Sequence, residues 1–530
     1  MHVCATTSTT KLLSSRFSKT IFRQRRNGAS RFLSTAGGWR SRCRKLNLRY
    51  HVTVNLNTAD APLSGQTAAE AARSIRDALP VGGLFAGLEW RISPTPFPLG
   101  ENLAKEIESL GRVLLQFYRA VNLLYRKSAE GEQPDWVARW LDLGKPADLI
   151  ALQRSPAFKN DVPRVIRPDI LLTETGLSIT ELDSVPGGIG LTAWLNQTYS
   201  KISEGGVPRR PNQDGDSQSS PLRKIELLGA ADGMLRGFES IFGDAKQVHI
   251  IVSEEAATYR PEMNWLCEQL GSRFTVHDSQ FSEFVDGDAV YRFFELFDLA
   301  NVPNSKKIFE LAAEKRVRLT PPPKPVFEEK MLFALLWNRN LHDFWRQELG
   351  EGFLARLKKL IPCTWVVDPA PLPPQAAIPE LNLTDWQQLK ALSQRERDLI
   401  LKVSGFSEHA WGARGVFLGS DLSHEDWAKA VDDAIQHFEQ SPRVLQRYHK
   451  PALVEAQWFD FEKNVVVPMK GRVRLCPYYF VAGEGDAARP QLGGVLATVN
   501  PADKKIIHGM SDAILAPCTK PSQTSGVSAQ

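Results

Sequence analysis

Residues 167–183 read RPDILLTETGLSITELD, a run whose residue types suit holding a cation and an anion at one place. Two stretches of alternating polarity flank Glu174-Thr175-Gly176. The glycine can take the positive φ of a short turn, so the run predicts a β-hairpin with a three-residue loop. In that register Asp169 lies opposite Glu181 and Arg167 opposite Asp183, and all four share one face. Three carboxylates on one strand face repel unless a cation or a buried basic partner balances them. Oxygen donors of this kind suit Mg²⁺, which takes a few carboxylates and fills its shell with water and phosphate. The competing reading is a solvated face with one Arg–Asp pair worth about 0–1 kcal/mol. Spacing alone leaves both open. The following Ser184-Val-Pro-Gly-Gly-Ile-Gly190 is either a plain turn or one whose backbone amides approach phosphate.

The order R-x-D, then E-x-D/N-x-x-P, resembles the metal-binding stretch of the glutathionylspermidine synthetase-like ATP-grasp families. In these the lobes of the ATP-grasp fold occur in circularly permuted order. The resemblance implies that Arg167 contacts ATP phosphate as a catalytic residue, while Asp169, Glu181 and Asp183 bind magnesium. The departure is Asp183, where those families usually carry Asn; the extra charge bears on metal number and affinity.

Further segments match the same pattern. Glu328-Glu-Lys330-Met-Leu-Phe-Ala-Leu-Leu-Trp337 resembles a lysine-bearing helix, with Lys330 reaching phosphate as a point charge, or standing as a surface lysine. In LILKVSGFSEHAWGARGV, Leu399 to Val416, Lys402 ends an apolar strand and Gly405, Gly412 and Gly415 follow. Strand, glycine loop and strand is the ATP-grasp way of covering phosphates, and no Walker loop is present. Arg414 either assists or is solvated. Arg443-Val-Leu-Gln446-Arg-Tyr-His449 resembles the hinge strand that holds adenine. Arg472 and Arg474 share a strand face, and Arg474 is a second candidate for phosphate. Leu492 to Cys518 contains Asn500 before a proline turn and His508 beside a glycine, with no mechanism attached.

The elements that must position these residues follow from periodicity. Asn102 to Lys127 predicts a long amphipathic helix with Leu103, Ile107, Leu110, Leu114 and Phe117 on one side. From Lys246 to Thr320 strands and helices alternate, which predicts an open α/β unit. Lys330 to Leu360 reads as helical, a further helix is expected over His424 to Gln440, and strands continue to Thr498. Asp368 to Pro379 carries five prolines and is excluded from helix and central strand. The fold class is therefore α/β (α+β). With the resemblance it becomes a circularly permuted ATP-grasp-like fold with an inserted open-sheet, pre-ATP-grasp-like unit. The expected organisation is a basic leader (1–59), a helical region with the metal hairpin (60–202) and a disordered linker (203–222). The α/β unit (223–325), the nucleotide-binding lobes (326–518) and a loose tail (519–530) follow.

Composition bounds the function. The net charge of +5 resides in the leader, whose first 59 residues hold twelve Lys or Arg and no acid. Without it 53 basic residues face 60 acidic ones, so polyanion binding by the body loses support. The leader suits a mitochondrial transit peptide or a disordered tail, leaving a cytoplasmic or a mitochondrial location open. No apolar run approaches the roughly 18 residues of a membrane span. Six scattered cysteines give no zinc or disulfide pattern. The expected function is an ATP- and Mg²⁺-dependent ligase joining a small carboxylate to an amine through an acyl phosphate, with no nucleic-acid or membrane partner. The alternative is a non-catalytic relative that binds nucleotide or a partner.

Overall fold

The structure is a computed structural model that describes residues 65–80, 90–205, 226–371, 378, 380–410, 414–505, 507 and 512–520. Gly412 and His508 lie outside the described residues. Among the described residues sixteen strands form three sheets. The first four are β1 (Arg91–Ile92), β2 (Phe97–Pro98), β3 (Val165–Thr173) and β4 (Gly176–Asp183). Then come β5 (Val248–Val252), β6 (Phe274–His277), β7 (Ala289–Phe293) and β8 (Arg318–Thr320). The next set is β9 (Thr364–Val366), β10 (Leu399–Val403), β11 (Val416–Leu418) and β12 (Arg443–Arg447). The last is β13 (Val454–Asp460), β14 (Val465–Ala482), β15 (Arg489–Pro501) and β16 (Ile514–Thr519).

The largest sheet runs β1-β16-β15-β14-β3-β4, with β13 and β2 paired to its members, so it joins the first and last groups of strands. The 246–320 stretch forms the expected open unit, a parallel sheet in the order β6-β5-β7-β8. The third sheet, β11-β10-β12-β9, is antiparallel throughout.

Alternation along β14 sorts the core into two layers. Val473, Leu475, Tyr479 and Val481 face the long helix Glu101–Ala129. On that helix Ile107, Leu110, Leu114 and Phe117 are buried as the periodicity demands. Gly111 lets the helix approach, since a Cβ there would stand 2.5 Å from the Tyr479 ring. Cys476, Tyr478 and Phe480 face the opposite side, where Leu191, Trp194 and Leu195 of the helix Ile189–Gly205 and the parallel sheet pack. At its other end this second face turns from apolar to charged, and the candidate site begins there.

Three element boundaries differ from the sequence reading. The helix after the hairpin runs to Gly205, past the Ser203 at which the linker was expected. The 330–360 helix is divided: Met331–Trp337 ends at Asn338, a short 3₁₀ turn intervenes, and His342–Leu360 is kinked at Gly350 (φ 69°). The helix expected over His424–Gln440 ends at Gln436. Among the described residues no helix is long and apolar enough to cross a membrane.

Candidate functional site

The hairpin carries both expected pairings, Arg167 opposite Asp183 and Asp169 opposite Glu181, but reaches them differently. The loop is Glu174–Thr175 alone: Gly176, at φ 125°, already pairs with Thr173. Leu172 then faces Leu177 and Ile170 faces Ile179, so both apolar pairs enter the layer under the long helix. Continued unbroken, that register would put Glu181 and Asp183 on the same apolar side. A β-bulge inserts Thr180 as an unpaired residue and turns the charged end to the other face. The three-residue loop is thus corrected to two residues plus a bulge.

On the charged face every carboxylate meets a protein cation. Asp169 lies 3.1 Å from Arg167 Nε and 3.1 Å from Arg474. Asp183 lies 2.8 Å from Arg167, and Glu181 lies 2.7 Å from Lys330. Burial raises the Asp183 carboxyl, opposed by Arg167 and reinforced by Glu181 and Asp169. Burial lowers Lys330, but Glu181 beside it, with Glu295 and Asp183, outweighs this and leaves the ammonium raised. Among the described residues no group of three His, Cys, Asp or Glu side chains is placed to hold a metal ion as it stands.

The antiparallel sheet closes over this face. Lys402 is buried and donates to the Thr180 carbonyl and to Gln446 Oε1, both at 3.0 Å. Burial brings its pKa down to about 8. The Gln446 amide is committed at its other end too, donating to Thr364 at 3.1 Å. Lys330 also donates to the Ala410 carbonyl at 2.7 Å, tying the glycine loop to the cluster. Gly415 is required by crowding, since a Cβ there would stand 2.5 Å from the His409 carbonyl oxygen. Arg414 pairs with Glu255, just beyond the end of β5, at 3.1 Å.

The parallel sheet contributes residues that sequence reasoning missed. Glu295 follows β7 at the carboxyl edge of the sheet, where open sheets place ligands, and that rule was the available signal. Burial and its neighbour Glu328 hold the Glu295 carboxyl well above the usual range. Glu328 in turn accepts from Arg292 at 2.7 Å and from the Leu296 amide at 2.9 Å.

The glycine turn after the hairpin is already occupied by carboxylates. Val185 N donates to Asp183, while Gly188 N and Leu191 N donate to Glu262 at 2.7 and 3.1 Å. Those amides therefore serve internal anions, which favours the plain turn of the two alternatives. Burial lifts Glu262 to about 7 against these bonds. A carboxyl whose folded pKa exceeds its unfolded value destabilises the native state as pH climbs between the two. Stability is therefore expected to fall from about pH 4.5 to about pH 7, and Glu262→Gln to flatten that slope. Urea unfolding at intervals across the range checks this; an unchanged slope in the variant removes Glu262 as the cause.

No family model and no curated protein matches the chain. Among solved structures, the apo form of a glutathione synthetase-like effector from Globodera pallida superposes with a TM-score of 0.48 at 9% identity, covering 86% of this chain and 96% of that one. A protein from Methylobacillus flagellatus designated a γ-glutamylcysteine synthetase gives a TM-score of 0.34 at 10% identity, over 78% and 88%. Likenesses at this level fix neither family nor activity.

Proposed function

We propose that this chain is an ATP- and Mg²⁺-dependent ligase that joins a carboxylate to an amine through an acyl phosphate, on a circularly permuted ATP-grasp plan. The observation that carries the reading is convergence. Arg167, Lys330, Lys402 and Arg474, from four separate segments, meet one hairpin face bearing three carboxylates. Burying so many ionised groups rarely repays its desolvation in stability alone, so a binding role is the economical account.

The donor set suits magnesium in its chemistry, since Asp169, Glu181 and Asp183 are hard oxygen ligands sharing one strand face. Bound there, the ion would neutralise charge on phosphate oxygens. Arg167 and Lys330, now paired with those carboxylates, are the cations free to turn to phosphate once the carboxylates gain another partner. Lys402, Gly405 and Gly415 would cover the phosphates, and Gln446 at the hinge would address adenine. The chain's residues position reactants and offset charge; bond formation needs no covalent step on the protein.

A second reading, a non-catalytic nucleotide-binding or interaction protein, draws on the same ion pairs, because the charges already satisfy one another.

Thermal shift of the full chain separates these. A ligand that binds only the native state raises the melting point. MgATP is expected to do so, with much smaller effects from Mg²⁺ alone or from ATP with EDTA, since each would leave one set of charges unpaired. Asp169→Asn/Glu181→Gln should abolish the shift. Equal shifts from ATP with and without metal would remove magnesium from the site, and no shift at all favours the second reading.

Lys402 yields a separate expectation. Phosphate beside it should restore its pKa from about 8 toward the ordinary lysine value, so MgATP binding near pH 8.5 takes up a proton. Calorimetry in two buffers of different ionisation enthalpy reads this directly; identical heats would place Lys402 away from the ligand.

A further inference from the structure

The register of the parallel sheet gathers four polar residues on one face. Thr275 lies beside His249, His277 follows two residues on, and Asp288 stands two residues before Val290, the other partner of His249. Ile251 and Val290 of the same face pack in an apolar layer with Ile308 and Leu311 of the helix Ser305–Ala313. Buried polar groups in such a layer need partners, and these serve one another. His249 Nε2 lies 3.2 Å from Asp288 Oδ2, which also accepts from Val285 N at 2.7 Å. An oxygen serving that amide is an acceptor, so neutral His249 carries its N–H at Nε2 and a lone pair at Nδ1. His277 Nε2 lies 3.1 Å from that Nδ1. The Thr275 hydroxyl completes a triangle, 2.8 Å from His277 Nε2 and 3.5 Å from His249 Nδ1.

We infer that this triangle is a site for a divalent transition-metal ion of the zinc type, held by His249 Nδ1, His277 Nε2 and the Thr275 hydroxyl. Two ring nitrogens this close cannot turn lone pairs on each other, so a proton or a cation lies between them. In a tetrahedral shell with bonds of about 2.0–2.1 Å, neighbouring donor atoms stand about 3.3–3.4 Å apart. The three edges of the triangle need only a small adjustment to seat such an ion. Asp288 occupies the place where metal-binding histidines carry a carboxylate, on the far ring nitrogen, and fixes the tautomer that presents Nδ1. Phe281 stacks on His277 at 3.6 Å and steadies the second ring. His277 also lines a cavity of about 580 Å³ with Asp278 and Phe281, so water can reach the remaining position. Imidazole ligands select zinc, copper or nickel over magnesium, which keeps this site apart from the hairpin carboxylates. The bound ion would tie β5 to β6 and, through Asp288, to the start of β7, whether or not the chain is a ligase.

The test uses the full chain, free of any affinity tag and stripped with chelator, without nucleotide. Zn²⁺ and Mg²⁺ are titrated separately, read by melting point and by competition with a chromogenic zinc indicator. Zn²⁺ should raise the melting point and be withdrawn from the indicator to a single equivalent, whereas Mg²⁺ at the same concentration should do neither. His277→Gln should lose that equivalent. Asp288→Asn should weaken it about 10–100-fold, the usual effect of removing the carboxylate behind a ligating histidine. His277 is half-buried, so His277→Gln is expected to fold, and circular dichroism with the zinc-free melting point checks this. If folded His277→Gln keeps the zinc equivalent, the ion sits elsewhere, on cysteines for example, and the site is overturned. If Zn²⁺ has no effect on the wild type, a proton alone joins the two rings, and the proposal falls as well. Neither failure bears on the MgATP experiment, and no MgATP result bears on the zinc site.

Discussion

Glu329→Gln is expected to destabilise the fold by about 3–5 kcal/mol, the largest stability effect anticipated for any single charge here. Its carboxylate lies 2.6 Å from Lys145 Nζ, with side-chain exposures of 1% and 0%. The other oxygen accepts from the Ser404 hydroxyl, whose oxygen accepts from Met331 N at 3.0 Å. One residue thus joins the loop before the helix Ala147–Arg154, the start of the helix Met331–Trp337 and the end of β10. Neutralising it strands an ammonium with no route to water. Urea denaturation measures the loss. Adding Lys145→Met to Glu329→Leu should recover most of it, since apolar replacement of both partners avoids the unpaired charge. A single-variant loss below about 1 kcal/mol would mean that water reaches Lys145 and that the pair is not a keystone.

Asp169→Asn should lower turnover by about 10²–10³-fold, the scale expected when a group organising transition-state charge is lost. Asp169 stands between Arg167 and Arg474 and also receives the Cys476 thiol at 3.5 Å, a thiol that burial pushes up to about 12. Its neutral analogue leaves two guanidinium groups facing one another across an amide, so some stability is lost as well. Asp169→Asn combined with Arg474→Gln separates the two effects. The pair should regain melting temperature without regaining turnover, measured as ADP release. If turnover returns together with stability, Asp169 only holds the fold.

What the sequence disclosed and what it hid divide along physical lines. The parallel sheet at 246–320 was legible because short apolar runs, buried on both faces, alternate with helical stretches, and the long helix at 101–129 because one face of it is apolar at a clear period. The pairings of Arg167 with Asp183 and Asp169 with Glu181 were legible for the same reason. The bulge was not. A constant register pairs either the apolar end or the charged end of the hairpin correctly, and alternation alone does not show that both are satisfied by one extra residue. Nor could spacing reveal that the cations from residues 330, 402 and 474 converge, since that depends on how three sheets meet. Lys145–Glu329 and Glu262 with its helix amides were invisible because each joins segments far apart in the chain. The Asn500 segment stood out by composition, yet only the register with β14 shows that it faces Arg472.

The bulge at Thr180 has one more consequence. One of the two groups that hold Lys402, beside the Gln446 side chain, is a main-chain carbonyl, that of the unpaired Thr180. No single-letter change at position 180 can delete that contact while the backbone keeps its path. Substitution at position 180 therefore leaves the carbonyl's hold nearly untouched, whereas gain or loss of one codon between the tip and Glu181 would invert the face of the charged strand. Across descendants of this gene, the length of the segment should drift far less than its spelling.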